Sequence, residues 1–203
     1  MAIPKLVNTI ANVDLGIDRL KRYRNDSKSL EAKFQYFIAE IIMLRMFSIL
    51  EDAIAELAFK IACGAEYSNG SAPVLLFRAK SVSGARAAML SYARPKPLQS
   101  LKWTKSKYIR DSVSNVIDAG EKYLYYCKVH GAQIDEMRKV RNFLAHRSPT
   151  SRSDYKQIIR MAYGANAKIS PGVFLISDRR SAPRIDTYLS SISIIIKDMA
   201  KGF

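Results

Sequence analysis

Residues 30–62 set the strongest limit on what this chain can fold into. The stretch "LEAKFQYFIAEIIMLRMFSILEDAIAELAFKIA" contains neither proline nor glycine. Phe34, Phe37, Ile38, Ile41, Ile42, Leu44, Met46, Phe47, Leu50, Ile54, Leu57, Phe59 and Ile61 recur within it at helical spacing. One helix of about nine turns follows. Apolar positions lie nearly all round it, so it is expected to be central and buried on several sides. Glu40, Arg45, Glu51, Asp52 and Glu56 interrupt the apolar run, which removes it as a membrane span.

The other segments arrange themselves around that helix. Leu6, Ile10, Val13, Ile17 and Leu20 mark a single apolar stripe on a helix over about residues 5–24, followed by a turn at 24–29. Gly64, Gly70, Pro73, Gly84, Pro95 and Pro97 then break the pattern. An irregular insertion or mobile loop is expected over 64–103, with at most one short helix near 80–93. Helical periodicity resumes at about 105–120, 121–129, 132–147 and 151–163, with Ser151 or Ser153 as the cap of the last. "GVFLIS" at 172–177 reads as a short strand or an extended pass. The closing "PRIDTYLSSISIIIKDMAK" starts at a proline and is amphipathic, as a final helix would be. One all-α domain over 1–203 is the expectation.

Charge narrows the partners. Of 203 residues, 33 are Lys or Arg and 18 are Asp or Glu, a formal net charge of +15. Such an excess favours a polyanion, nucleic acid first and an anionic membrane surface as the weaker alternative, because neutralised phosphates release counterions; a charge that serves solubility alone is the bland reading. Cys63 and Cys127 each lie in an apolar, helix-like stretch and read as reduced core residues. The first residues lack a signal-type apolar run, so a cytoplasmic protein is expected.

Chemistry concentrates in "MRKVRNFLAHRSP", Met137 to Pro149. On a helical wheel of about 100° per residue, Val140, Leu144, Met137 and Ile134 define an apolar stripe. Arg138, Asn142, Asp135, His146 and Lys139 define the polar face. Arg141 falls inside the apolar stripe, between Met137 and Ile134, where an unpaired guanidinium is costly. It must snorkel at the stripe's edge, pair with a buried acid, or face a seam that receives an anion. Asn142 and His146, four apart, share a face. Arg141 and His146, five apart, diverge by about 140° on a regular helix. Either the last turn before Pro149 departs from ideal geometry, or two such helices meet across a twofold axis and pool their residues. At the helix's C-terminal end, His146 is well placed to exchange a proton.

With Arg141-Asn142 followed by His146, the chain resembles the HEPN superfamily of small helical bundles. That family's signature is an arginine, a polar residue, and a histidine, with four to six residues between the arginine and the histidine. The resemblance implies a HEPN-like bundle of roughly five to seven helices. It also implies a metal-independent endoribonuclease, often a toxin or antiphage effector, acting as a homodimer with a composite active site. An antitoxin or defence-system partner belongs to the same expectation, as does a supporting acid at Glu51 or Asp52 in "ILEDAIAEL". No cofactor is implied. The 64–103 stretch has no counterpart in the family pattern.

In such a site His146 would take the proton from a ribose 2′-OH or give one to the leaving 5′-oxygen. Arg141 would neutralise charge on the pentacoordinate phosphate. Asn142 would orient His146 or bind a phosphate oxygen. The product would be a 2′,3′-cyclic phosphate, and DNA would not be cut. Some members of the family have lost catalysis, so a non-catalytic nucleic-acid-binding or partner-binding module is the alternative.

Beyond the motif, RNA-binding candidates are Arg138, Lys139 and Arg147 around the helix, and Lys102, Lys105, Lys107 and Arg110 in "LKWTKSKYIR". The latter interleave with Trp103 and Tyr108, the composition of a strand-gripping surface. A helix start with Trp103 packed on the core fits the same residues. Arg147, Arg152, Arg160, Arg179, Arg180 and Arg184 are candidates for a basic rim. His130 has no Cys, His or Asp companions at metal-ligand spacing, so no metal site is expected. Glycine-rich phosphate loops are absent from the sequence.

Overall fold

The structure is a computed structural model that describes residues 3–165, 167–178 and 182–202. It is all-α. Among the described residues there are nine helices, α1 Leu6–Ser27, α2 Ala32–Ala62, α3 Val82–Ser91, α4 Ser106–Val113, α5 Lys122–Val129, α6 Gly131–His146, α7 Pro149–Tyr163, α8 Pro171–Ile176 and α9 Arg184–Met199. Only α1, α2, α6, α7 and α9 reach 15 residues or more. The short ones raise the number above the five to seven that the sequence implied.

The chain forms two compact units. The first comprises residues up to Asp14, Leu50–Ile134 and those from Ser193 onward; the second comprises Leu15–Ile49 and Asp135–Ile192. In the first unit the 64–103 stretch is stitched to the α4–α5 connection. Leu75 and Ile117 form an antiparallel bridge, and the Leu76 amide donates to the Val116 carbonyl at 2.9 Å. Buried Glu121 accepts from Tyr67 Oη and from the Val74 amide, each at 2.5 Å. Arg94 Nη2 reaches the Asp111 and Ser112 carbonyls at 2.7 and 3.1 Å and Asn115 Oδ1 at 2.8 Å. These bonds replace the apolar periodicity that this stretch lacks.

The second unit buries Ile17, Leu20, Ala39, Ile42, Met43, Met46 and Phe47 with Met137, Val140, Tyr155, Phe174, Tyr188 and Leu189. The α2 helix is buried on several sides, as its apolar residues predict, and leaves Phe34, Phe37, Ile41 and Leu44 exposed along one row. One sequence expectation needs correction here. "GVFLIS" is no strand but α8. Pro171 fills the first helical position, and the Gly172 amide donates to Glu40 Oε1 at 2.9 Å. A Cβ on Gly172 would sit 2.5 Å from Tyr36 Cβ and 2.9 Å from the Tyr36 carbonyl oxygen. Only glycine permits that approach between α8 and α2.

Candidate active site and basic groove

Arg141, Asn142 and His146 lie on α6 within the second unit. The helix buries Ile134, Met137 and Val140, so its apolar stripe is the one that the wheel predicts. Leu144 is only half-buried. Arg141 occupies the predicted anomalous position and uses it. Its guanidinium carbon lies 4.9 Å from the centre of the Phe47 ring, and Nη1 donates to Asn142 Oδ1 at 3.0 Å. A buried aromatic face beneath a planar cation fixes its orientation. Asn142 therefore steadies Arg141, a contact between sequence neighbours that the wheel did not foresee.

His146 is exposed. The helix stays regular to its end, with the Arg147 amide donating to the Phe143 carbonyl at 3.3 Å. The last turn thus does not bend His146 toward Arg141, and their Cα–Cβ directions remain about 140° apart. The α6 helix ends before Pro149, as predicted, and Pro149 opens α7. Ser148 is the cap, accepting from the Ser151 amide at 3.2 Å, with Pro149 at the first helical position. Ser151 and Ser153 lie inside the helix. Arg147 makes the reversal between α6 and α7 with φ of +45°, a left-handed conformation in which glycine is the usual residue.

Other candidates sort by what they touch. Arg138 holds Asp135 Oδ1 through Nε at 2.9 Å and Nη2 at 2.8 Å, and Lys139 reaches Asp135 Oδ2 at 3.3 Å. Burial would raise the Asp135 carboxyl, but the bonds and charges of Arg138 and Lys139 prevail and hold it below the usual range. Lys102, Lys105, Lys107 and Arg110 belong to the first unit. There Lys102 and Lys105 lie 5.4 and 5.9 Å from the Tyr108 ring centre, while Trp103 meets Phe59 edge-on at 5.5 Å. Glu51 is half-buried in the first unit, and Asp52 is exposed beside it. Cys63 and Cys127 are free and buried; burial pushes both thiols up.

Part of the basic rim does assemble. A groove of about 1040 Å³ between α6, α7 and residues 167–171 is lined by Arg147, Arg152, Lys156, Arg160 and Lys168. Its wall carries Phe143 stacked flat on Tyr155, with centroids 4.5 Å apart. Burial, with Tyr163 and Glu40 nearby, pushes the Tyr155 phenol up, and it donates to the Ile169 carbonyl at 3.1 Å. Arg184 is not part of this wall. It pairs with Glu136 at 3.5 Å and lies over Phe174 and Tyr188. Arg179 and Arg180 lie outside the described residues. Lys156 and Lys168 were missed by the sequence reading. The four-residue spacing of Arg152, Lys156 and Arg160 could have revealed the first; Lys168 sits in a loop without periodic signal.

Among the described residues no helix is long and apolar enough to cross a membrane, and no group of three or more His, Cys, Asp or Glu side chains could hold a metal ion. Comparison with family models, curated proteins and solved structures gives no match.

Proposed function

We propose that the chain is an RNA-cutting enzyme of HEPN type, with Arg141, Asn142 and His146 as its site. The observation that carries this reading is the setting of Arg141. A guanidinium laid on Phe47 and steadied by Asn142 is a preorganised phosphate clamp, and an exposed histidine stands one turn beyond Asn142 on the same helix.

In the proposed reaction His146 removes the proton of a ribose 2′-OH, and the 2′-oxygen attacks the adjacent phosphorus. The bond from phosphorus to the 5′-oxygen breaks, the leaving oxygen takes up a proton, and a 2′,3′-cyclic phosphate remains. Arg141 neutralises charge accumulating on the non-bridging oxygens. No metal enters these steps.

Because Arg141 and His146 diverge on one helix, a second copy supplying the complementary residue fits the chemistry. The exposed row Phe34, Phe37, Ile41 and Leu44 has the three-four-three spacing of a helix seam, which a twofold-related copy would cover with the same row. Phe37→Glu with Ile41→Glu should then leave a monomer in sedimentation; an unchanged dimer would remove this interface. A toxin or antiphage role, with an antitoxin or defence-system partner and a cytoplasmic setting, completes the proposal.

The test is incubation with RNA and with DNA of the same sequence in EDTA, followed by 3′-end analysis. Cyclic phosphates from RNA alone, lost in Arg141→Ala, are expected. Intact RNA with wild-type protein would leave a non-catalytic RNA-binding module, which the basic groove also suits.

A further inference from the structure

Five cations share one concave surface in the second unit. Arg147, Arg152, Lys156, Arg160 and Lys168 are all exposed, and among the described residues no acidic side chain lines the groove with them and none of the five is paired with a carboxylate. Other cations of the unit are paired: Arg138 and Lys139 with Asp135, Arg184 with Glu136. Like charges crowded on a low-dielectric concave wall repel one another, and an anion relieves the repulsion.

Spacing indicates what kind of anion. Arg152, Lys156 and Arg160 stand four residues apart on one face of α7, steps of about 6 Å along the axis. A ladder of single charges at that interval is commensurate with successive phosphates of a nucleic-acid strand, and too long for one small phosphate compound. Arg152 is held at the start of the ladder, its Nε donating to the Arg147 carbonyl at 2.9 Å. The half-buried Phe143, backed by Tyr155, adds the flat apolar surface that bases use in such grooves. An acidic peptide would need neither the even ladder nor the aromatic wall.

We propose that this groove is a track for single-stranded RNA, with Arg152, Lys156 and Arg160 on consecutive phosphates and Phe143 against a base. The inference rests on the ribonuclease reading for the choice of RNA. Arg147, which opens the groove, directly follows His146, so a strand lying in the track reaches the end of α6 that bears the histidine.

The test measures binding of a labelled RNA of about twelve nucleotides in EDTA, by anisotropy over a range of salt. Arg152→Glu/Lys156→Glu/Arg160→Glu is compared with wild type and with Lys5→Glu/Lys80→Glu/Lys96→Glu, three exposed lysines of the first unit whose replacement changes net charge equally. The groove variant should bind at least about a hundredfold more weakly, with a salt slope reduced by about 2, three phosphates at ~0.7 each. The first-unit variant should keep most of the affinity. Equal weakening of both, or wild-type binding by the groove variant, overturns the track. His146→Ala separates the two proposals: it should bind as wild type while cutting nothing. If wild-type protein cuts no RNA yet the groove variant alone loses binding, the track stands and the nuclease falls. If the groove variant binds and cuts like wild type, the reverse holds.

Discussion

His130 and His146 each stand at the end of a helix, and their surroundings could hardly differ more. In the first unit, His130 closes α5 with Nε2 2.8 Å from Asp198 Oδ2 and its ring parallel to Tyr126 at 6.2 Å. In the second unit, His146 ends α6 exposed to solvent, next to the left-handed Arg147 and the groove that Arg147 opens. The first histidine is a joint between α5 and α9; the second is presented. The arginines of α6 also differ, since Arg138 is locked to Asp135 while Arg141, three residues on, rests on an aromatic face and donates to Asn142. A polar group bound to a carboxylate partner stabilises the fold, and one laid on an aromatic face is oriented by it.

That division is sharpest within α6. Arg141→Ala should lower RNA cleavage by about 10²–10³, whereas Arg138→Ala should change it less than about threefold, because its guanidinium is already engaged. Single-turnover rates on a labelled RNA decide it, and equal losses would erase the distinction between the two arginines. Gly172→Ala should come next in size. The new Cβ meets Tyr36 at 2.5 Å, so a loss of roughly 1–3 kcal/mol in denaturant unfolding is expected. Full stability would show that α8 has room to move.

Arg147→Gly tests the presented side from the opposite direction. Removing a side chain at φ of +45° should stabilise the protein by about 1 kcal/mol while weakening RNA binding. A variant that gains stability and keeps affinity would show that Arg147 serves only the turn.

Asp135 supplies the smallest effect. Its carboxyl is held below the unfolded value of about 3.9. Its stabilising contribution is therefore complete above that value and lost as pH falls through the lower folded one. Asp135→Asn should cost roughly 0.5 kcal/mol at neutral pH and flatten the decline of Tm below about pH 4. An acid limb as steep as that of wild type would place the sensitivity elsewhere.

What could be read from the sequence was whatever repeats along one helix. The long α2, the stripe of Leu6, Val13, Ile17 and Leu20, and the misplaced Arg141 all follow from the 3.6-residue period. Features set by contacts distant in sequence were hidden. Six residues of Val-Phe-Leu-Ile character look extended until Glu40 and Tyr36 are seen to fix α8. Pro149 reads equally as the stop of one helix or the start of the next, and the cap at Ser148 decides for the start. Arg141 announced that something must lie beneath it, but nothing in its neighbourhood named Phe47. The rim arginines were visible as composition; the fold selects Arg147, Arg152 and Arg160 for the groove, adds two lysines, and turns Arg184 to Glu136.

The measurement closest to the centre of this account sets the two histidines side by side. Wild type, His146→Ala and His130→Ala would each be given the same 3′-labelled RNA in EDTA, with folding checked by thermal unfolding. His146→Ala should unfold like wild type and lose cleavage by about 10²–10⁴, while His130→Ala should be less stable and still leave 2′,3′-cyclic ends. Cleavage that survives the loss of His146, or disappears only with His130, would contradict it.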